Sequence, residues 1–273
     1  NTFRYFGKAL SGVRGNMFYQ VHFGADYETG EYGWTLDLEK VRKQIDSMLS
    51  ALKTDYIDYG FVHCLDDISD WEKYQDNGIL AYLLSMKEQG IVRHIGLSSH
   101  TPATASHILK TGLIDQLMFS VNPSYDYEKG EYAKGSTGER MMLYREAESL
   151  GVGISVMKPF SGGQLLSASS SPFGKALTPY QCIKYALDKP AVLTVLPGMK
   201  NRKEVESTLR YFDVPDEEKD YSMISSLAPE DARGRCVYCN HCHPCPAGIN
   251  IALVSKYYDL AENGDDMARE HYM

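Results

Sequence analysis

The chain has 273 residues, 43% of them hydrophobic, and a formal net charge of −8 with acidic and basic residues interspersed. That length accommodates one large core plus an appendage, and the charge excludes the basic face that a nucleic-acid partner requires. No apolar run approaches the ~20 residues that cross a bilayer, and the opening residues lack the apolar core of a secretory signal, so no membrane role is expected.

Short β-rich runs alternate with helical patterns along most of the chain. The predicted strands are Phe18–Phe23, Ile57–Val62, Ile95–Ser98, Leu117–Val121, Gly153–Met157 and Thr194–Leu196. Between them, Val41, Ile45, Met48 and Leu52 trace one helical face, and Ile79, Leu80, Leu83 and Met86 trace another. Gly90, Gly112 and Gly151 each follow a helix and precede a strand, where a C-terminal cap needs positive φ. Such alternation predicts a parallel sheet with right-handed crossovers. No G-x-G-x-x-G turn follows the first strand, so an open dinucleotide fold is disfavoured; a barrel needs eight strands and six are visible. From Asp213 the pattern changes to acidic turn residues, Asp216–Asp220, which divides the chain into a barrel-like part, 1–212, and a tail, 213–273. A last helix is expected after Asn250, a good N-cap, burying Ile251, Val254 and Tyr258.

The tail carries the strongest chemical signal. Cys236, Cys239, Cys242 and Cys245 stand three residues apart and Pro246 follows. Four thiolates on one short loop can close the shell of an iron–sulfur cluster or a metal ion. The Cys-Pro ending and the absence of a long spacer between two knuckles favour a [4Fe–4S] cluster, with zinc as the rival. His241 and His243 are substitute ligands or outward-pointing loop residues. Cys64 and Cys182 stand alone in apolar surroundings and read as buried thiols of a reducing compartment, which points to the cytoplasm.

At Lys53–Asp67 the chain reads K-T-D-Y-I-D-Y-G-F-V-H-C-L-D-D, so a strand delivers His63 at its C-terminal end, the catalytic end of a parallel barrel. A histidine there either donates a hydrogen bond to a substrate oxygen and moves protons, or is a satisfied rim residue.

These residues resemble the aldo/keto reductase family, whose members carry T-D-Y-I-D-L-Y, a hydrophobic residue and the catalytic histidine. R-H-I-G-L-S-S at Arg93–Ser99, V-M-K-P-F-S-G-G at Val156–Gly163 and V-L-P-G-M-K at Val195–Lys200 are similar to further family segments, in the right order. The tail is similar to that of a subgroup with a ferredoxin-like C-terminal segment. The resemblance implies a parallel (β/α) barrel and NADP(H)-dependent reduction of a carbonyl or related group on a small-molecule substrate. A redox partner protein is implied for the cluster.

It also implies site residues. His63 is the catalytic histidine, and His22 stands where the family has its lysine. Ser98 and Ser99 match the pair that grips the carboxamide; Asn122, Met157, Lys158 and Phe160 fall where the nicotinamide ring is held. Gly198, Met199, Lys200, Glu204 and Thr208 match the adenosine-phosphate segment, with Lys200 toward the 2′-phosphate. The family's aspartate and proton-donating tyrosine find no match, and Y-F-G-K-A-L at Tyr5–Leu10 looks like the helix before the third strand. The expectation is therefore a barrel incomplete at its N-terminus, with an unpaired edge at Phe18–Phe23 that invites a homo-oligomer, and little turnover of ordinary aldehydes. Two other classes remain open: an electron-transfer protein with a degenerate barrel site, and a zinc-stapled binding barrel without catalysis.

Overall fold

The computed structural model describes residues 2–26, 33–129, 133–227, 236, 242, 245–262 and 265–272. The chain forms two compact units, Asn1–His100 with His107–Leu117, and Thr101–Ser106 with Met118–Met273.

The first unit holds helix α1 (Thr2–Leu10), strand β1 (Gln20–Phe23), a short antiparallel pair β2 (Ala25–Asp26) and β3 (Gly33–Trp34), and helix α2 (Leu38–Leu52). Strand β4 (Ile57–Val62), helices α3 (Ile68–Asp76) and α4 (Ile79–Glu88), and strand β5 (Val92–Ser98) follow. Strand β4 pairs in parallel with β1 and β5, with His22 opposite Phe61 and Val62 opposite Leu97. Each expected helical stripe is buried: Val41, Ile45, Met48 and Leu52 on α2, and Ile79, Leu80, Leu83 and Met86 on α4. Asp37 caps α2 by accepting from the Lys40 N–H at 2.9 Å, satisfying one of the four amides a helix start leaves unpaired. Gly96 is required by packing, because a Cβ there would stand 2.6 Å from the Phe61 ring.

The aspartate inside T-D-Y-I-D is structural. Asp58, at the N-terminal end of β4, is 2% exposed and pairs with Arg14 at 2.8 Å and Arg93 at 3.3 Å. It also accepts the Tyr19 N–H at 2.9 Å, while the Arg14 guanidinium lies on the Tyr19 and Tyr56 rings. Conservation of stability rather than chemistry is what that end of a parallel strand ordinarily provides.

Strand β6 (Gln116–Ser120) begins in the first unit and ends in the second, which carries α6 (Pro123–Asp126), α7 (Thr137–Ser149), β7 (Gly153–Met157), α8 (Pro179–Leu187), β8 (Val192–Val195) and α9 (Arg202–Leu209). Strand β7 pairs in parallel with β8. Three short helices complete it: α10 (Asp216–Lys219), α11 (Ile251–Glu262) and α12 (Asp266–Tyr272). Capping boxes start α7 at Ser136/Glu139 and α8 at Thr178/Gln181.

All six expected parallel strands exist, and Gly90, Gly112 and Gly151 have φ of 75°, 70° and 68°. Some details differ from expectation: β5, β6 and β8 run Val92–Ser98, Gln116–Ser120 and Val192–Val195, where Ile95–Ser98, Leu117–Val121 and Thr194–Leu196 were expected. Strand β1 begins at Gln20, because Phe18 is 77% exposed and precedes the ladder with β4. The acidic stretch after Pro215 closes a turn of helix, α10, since acidic side chains favour a helix N-terminus. Cys64 is half-buried rather than buried. Helix α11 does start after Asn250, whose side chain accepts the Leu253 N–H at 3.0 Å. Ile251, Val254 and Tyr258 are nevertheless exposed, and α11 is anchored by buried Leu260 and by Asp259, paired with Arg145 of α7 at 3.0 Å. No helix among the described residues is long and apolar enough to cross a membrane.

Candidate active site

Strand β4 is buried from Ile57 to Phe61 except at Tyr59, and its continuation past Val62 delivers His63 half-buried at the strand's C-terminal end. His22 reaches the same place from β1. Its ring stacks on Phe61 at 5.2 Å and meets His63 edge-on, with the two Nδ1 atoms 2.9 Å apart. One nitrogen must donate and the other accept, so a single proton occupies that contact. Burial, and then the neighbouring His63, push the His22 pKa down to about 4. Burial, and then His100, lower that of His63. Both rings are therefore neutral at pH 7. If His22 is the donor, His63 carries its own proton on Nε2, the tautomer that presents an N–H to a substrate oxygen. Trp34 fixes the backbone there by donating its Nε1–H to the His63 carbonyl at 2.9 Å.

Past His63 the chain turns through Cys64, whose backbone is left-handed (φ 55°), and re-pairs by Leu65 N–H to the Ser98 carbonyl at 3.0 Å. Asp66 then lies beside the end of β5. Its Oδ1 accepts from the His100 N–H at 2.6 Å and the Ser99 hydroxyl at 3.2 Å, and its Oδ2 faces His100 Nδ1 at 3.1 Å. Cys64 Sγ stands 3.8 Å from that same Nδ1. Ser98 and Ser99 are 3% and 0% exposed. The Cys64, Asp66 and His100 group was missed by reading the sequence alone. A usable signal existed: Val62 pairs with Leu97, so residues shortly beyond each strand end fall side by side.

The remaining expected cofactor residues belong to the second unit. Asn122 is fully buried; its side chain accepts the Tyr125 N–H at 2.9 Å, capping α6, and its amide donates to the Lys158 carbonyl at 2.9 Å. Lys158 is left-handed (φ 54°), Met157 is half-buried and Phe160 is 8% exposed. The chain after β6 is fixed by a buried network. Asp126 takes Arg140 Nε at 2.7 Å, the Tyr144 hydroxyl at 2.6 Å and the Tyr185 hydroxyl at 2.9 Å, and Arg140 also donates to the Ser120 and Lys134 carbonyls. After β8, Gly198, Met199 and Lys200 are exposed, and Glu204 and Thr208 are half-buried on α9. Asn201 caps α9 by accepting the Glu204 N–H at 3.0 Å; the Glu204 carboxylate accepts the Lys200 N–H at 2.7 Å and the Asn201 amide at 2.9 Å.

Of the tail thiols, Cys236 and Cys245 are half-buried and Cys242 is exposed, all three outside disulfides. Cys239 lies outside the described residues, as do His241 and His243.

Strands in parallel register, with titratable side chains gathered at their C-terminal ends, define the parallel α/β class in which barrel enzymes place their chemistry. A sequence model of the aldo/keto reductase family matches residues 6–180, and the chain belongs to that family of oxidoreductases. The fold agrees. The aldo-keto reductase AKR11C1 from Bacillus halodurans, in its holo form, superposes with a TM-score of 0.65 over 83% of this chain and 78% of its own, at 21% identity. A thermostable aldo-keto reductase, Tm1743, in complex with the inhibitor epalrestat, gives 0.58 over 83% and 77%, at 20% identity. An uncharacterised oxidoreductase of Bacillus subtilis (strain 168), YqkF, is 28% identical over 114 residues, which is 41% of this chain. The match spans about a third of that relative's length, 36%.

Proposed function

We propose that the protein is an NADP(H)-dependent oxidoreductase of a carbonyl or related group on a small-molecule substrate, working in the cytoplasm. The observation that carries this reading is the 2.9 Å contact between His22 and His63, at the end of the strand that bears the family's histidine motif. With His22 donating, the His63 Nε2–H orients and polarises the substrate oxygen. As the carbonyl carbon is reduced, its oxygen takes that proton. Solvent then returns a proton to His63 Nε2, while the His22 Nδ1–H keeps His63 in the donor tautomer.

The residues of the second unit fit the cofactor's chemistry. Lys200 offers an exposed cation for a 2′-phosphate, Gly198 leaves open space where a Cβ would meet nothing within 4 Å, and Met157 and Phe160 offer apolar faces to a ring. When bound, the cofactor supplies hydride from C4 of its nicotinamide. The cysteine tail, 213–273, is assigned to a [4Fe–4S] cluster on the strength of its spacing, exchanging single electrons with a redox partner protein, with zinc as the rival occupant.

NADPH oxidation against a panel of aldehydes, ketones and quinones tests the reading. His63→Gln should lower kcat by about 10²–10⁴-fold, the usual contribution of a positioned acid or base. Turnover indifferent to that substitution, or NADPH that does not bind, overturns it. Iron analysis after anaerobic reconstitution should find about four atoms per chain, and zinc alone at one per chain rejects the cluster.

A further inference from the structure

We propose that Cys64, Asp66 and His100 form a binding site for a divalent first-row transition metal, zinc foremost, separate from the cysteine tail. One ligand atom from each residue lies within 4.8 Å of the others. Zinc bonds of about 2.3 Å to sulfur, about 2.05 Å to nitrogen and about 2.1 Å to oxygen, set at tetrahedral angles, place the ligand atoms about 3.4–3.6 Å from one another. The observed separations, 3.8 Å from Sγ to Nδ1 and 3.1 Å from Nδ1 to Oδ2, bracket those values, and the sulfur and the carboxylate oxygen lie within 4.8 Å of one another, so side-chain adjustment without backbone movement closes the site. His100 Nδ1 is the common neighbour of both other ligands. The ion would bind Nδ1, with Nε2 carrying the imidazole proton.

Two further features suit a ligand site. Asp66 Oδ1 is held by the Ser99 hydroxyl and the His100 N–H, which fixes the carboxylate plane and leaves Oδ2 toward His100. Outer partners of this kind hold first ligands in place in metal sites. A thiolate, an imidazole and a carboxylate together also select zinc or cobalt over magnesium or calcium, which take oxygen alone. Three protein ligands leave a fourth position open to solvent or a substrate oxygen, the arrangement of catalytic rather than structural zinc. Ligation requires the Cys64 thiolate and an unprotonated His100 Nδ1, so binding releases protons and strengthens as pH rises. The site does not rest on the proposed reductase activity.

The test uses the full chain. Cobalt(II) is titrated into the parent protein and into Cys64→Ser, His100→Ala and His107→Ala, the last an exposed histidine on α5 (Pro102–Leu109) as control. The parent and His107→Ala should bind one equivalent more than either ligand variant, and the difference spectrum should carry thiolate charge transfer. Ser99→Ala should weaken that equivalent by about tenfold. Equal uptake and superimposable spectra in all four proteins overturn the proposal, the tail then accounting for all bound metal. Should a ligand variant fail to fold, peptide-mapped alkylation of the parent decides. Zinc should slow alkylation of Cys64 by at least about tenfold, and an unchanged rate at Cys64 rejects the site.

Discussion

Two polar clusters of this protein, the Asp126 network of the second unit and the His22–His63 pair of the first, show how burial and saturation separate scaffold from chemistry. Asp126 and Arg140 are both fully buried and opposite in charge, and each carboxylate oxygen is taken: Oδ1 by Arg140 and Tyr144, Oδ2 by Tyr185. Such a pair holds one geometry, and disturbing it leaves a charge without compensation. His22 and His63 are half-buried, neutral, and joined through one proton that has two resting places. That arrangement moves a proton within the pair without creating a charge, as an acid–base site can use.

The comparison can be broken most directly at Asp126. Replacing Asp126 with Asn leaves the Arg140 guanidinium buried without its counter-charge, and should cost about 3–5 kcal/mol. Urea unfolding measures it, and a loss under about 1 kcal/mol would mean that the network is not scaffold. In contrast, His22→Gln should scarcely alter stability at pH 7 and should remove a pH dependence. The folded-state pKa of His22 is about 4 against an ordinary 6.5, so the unfolded chain binds the extra proton between those values. Stability from this group is complete above pH 6.5 and is lost as pH falls toward 4, by at most about 3–4 kcal/mol at 1.36 kcal/mol per pH unit. Parallel stability–pH curves for parent and variant would contradict the assignment. The smallest effect concerns Lys200→Ala. One charge-assisted contact contributes about 1.5–3 kcal/mol, so NADPH should bind about 10–150-fold more weakly while NADH affinity stays level. Equal loss for both cofactors would move the 2′-phosphate contact elsewhere.

The strands and the two buried helix stripes were legible because their periodicity is a local property: Ile57–Val62 and Gly153–Met157 have the expected bounds. His63 was legible because a parallel strand must deliver its next residue to the catalytic end. The burial of α11 was not legible. Ile251, Val254 and Tyr258 have helical spacing, yet which face of a tail helix is covered depends on partners distant in sequence, here α7 through Arg145. Asn122 illustrates the same limit, since its amide is committed to the Lys158 carbonyl, 36 residues away.

By itself, then, the sequence determined the family, the order of strands and helices, the caps, and the residue types at each strand end. All of these follow from periodicity, turn chemistry and short motifs, which act over a few neighbouring residues. Only the tertiary structure decided that His22 and His63 share a proton, that Cys64, Asp66 and His100 share one corner, and that the buried Asp58 and Asp126 each hold an arginine. Those contacts join residues 14 to 44 positions apart. Their distances are set by strand register and side-chain packing, which no local stretch of chain specifies.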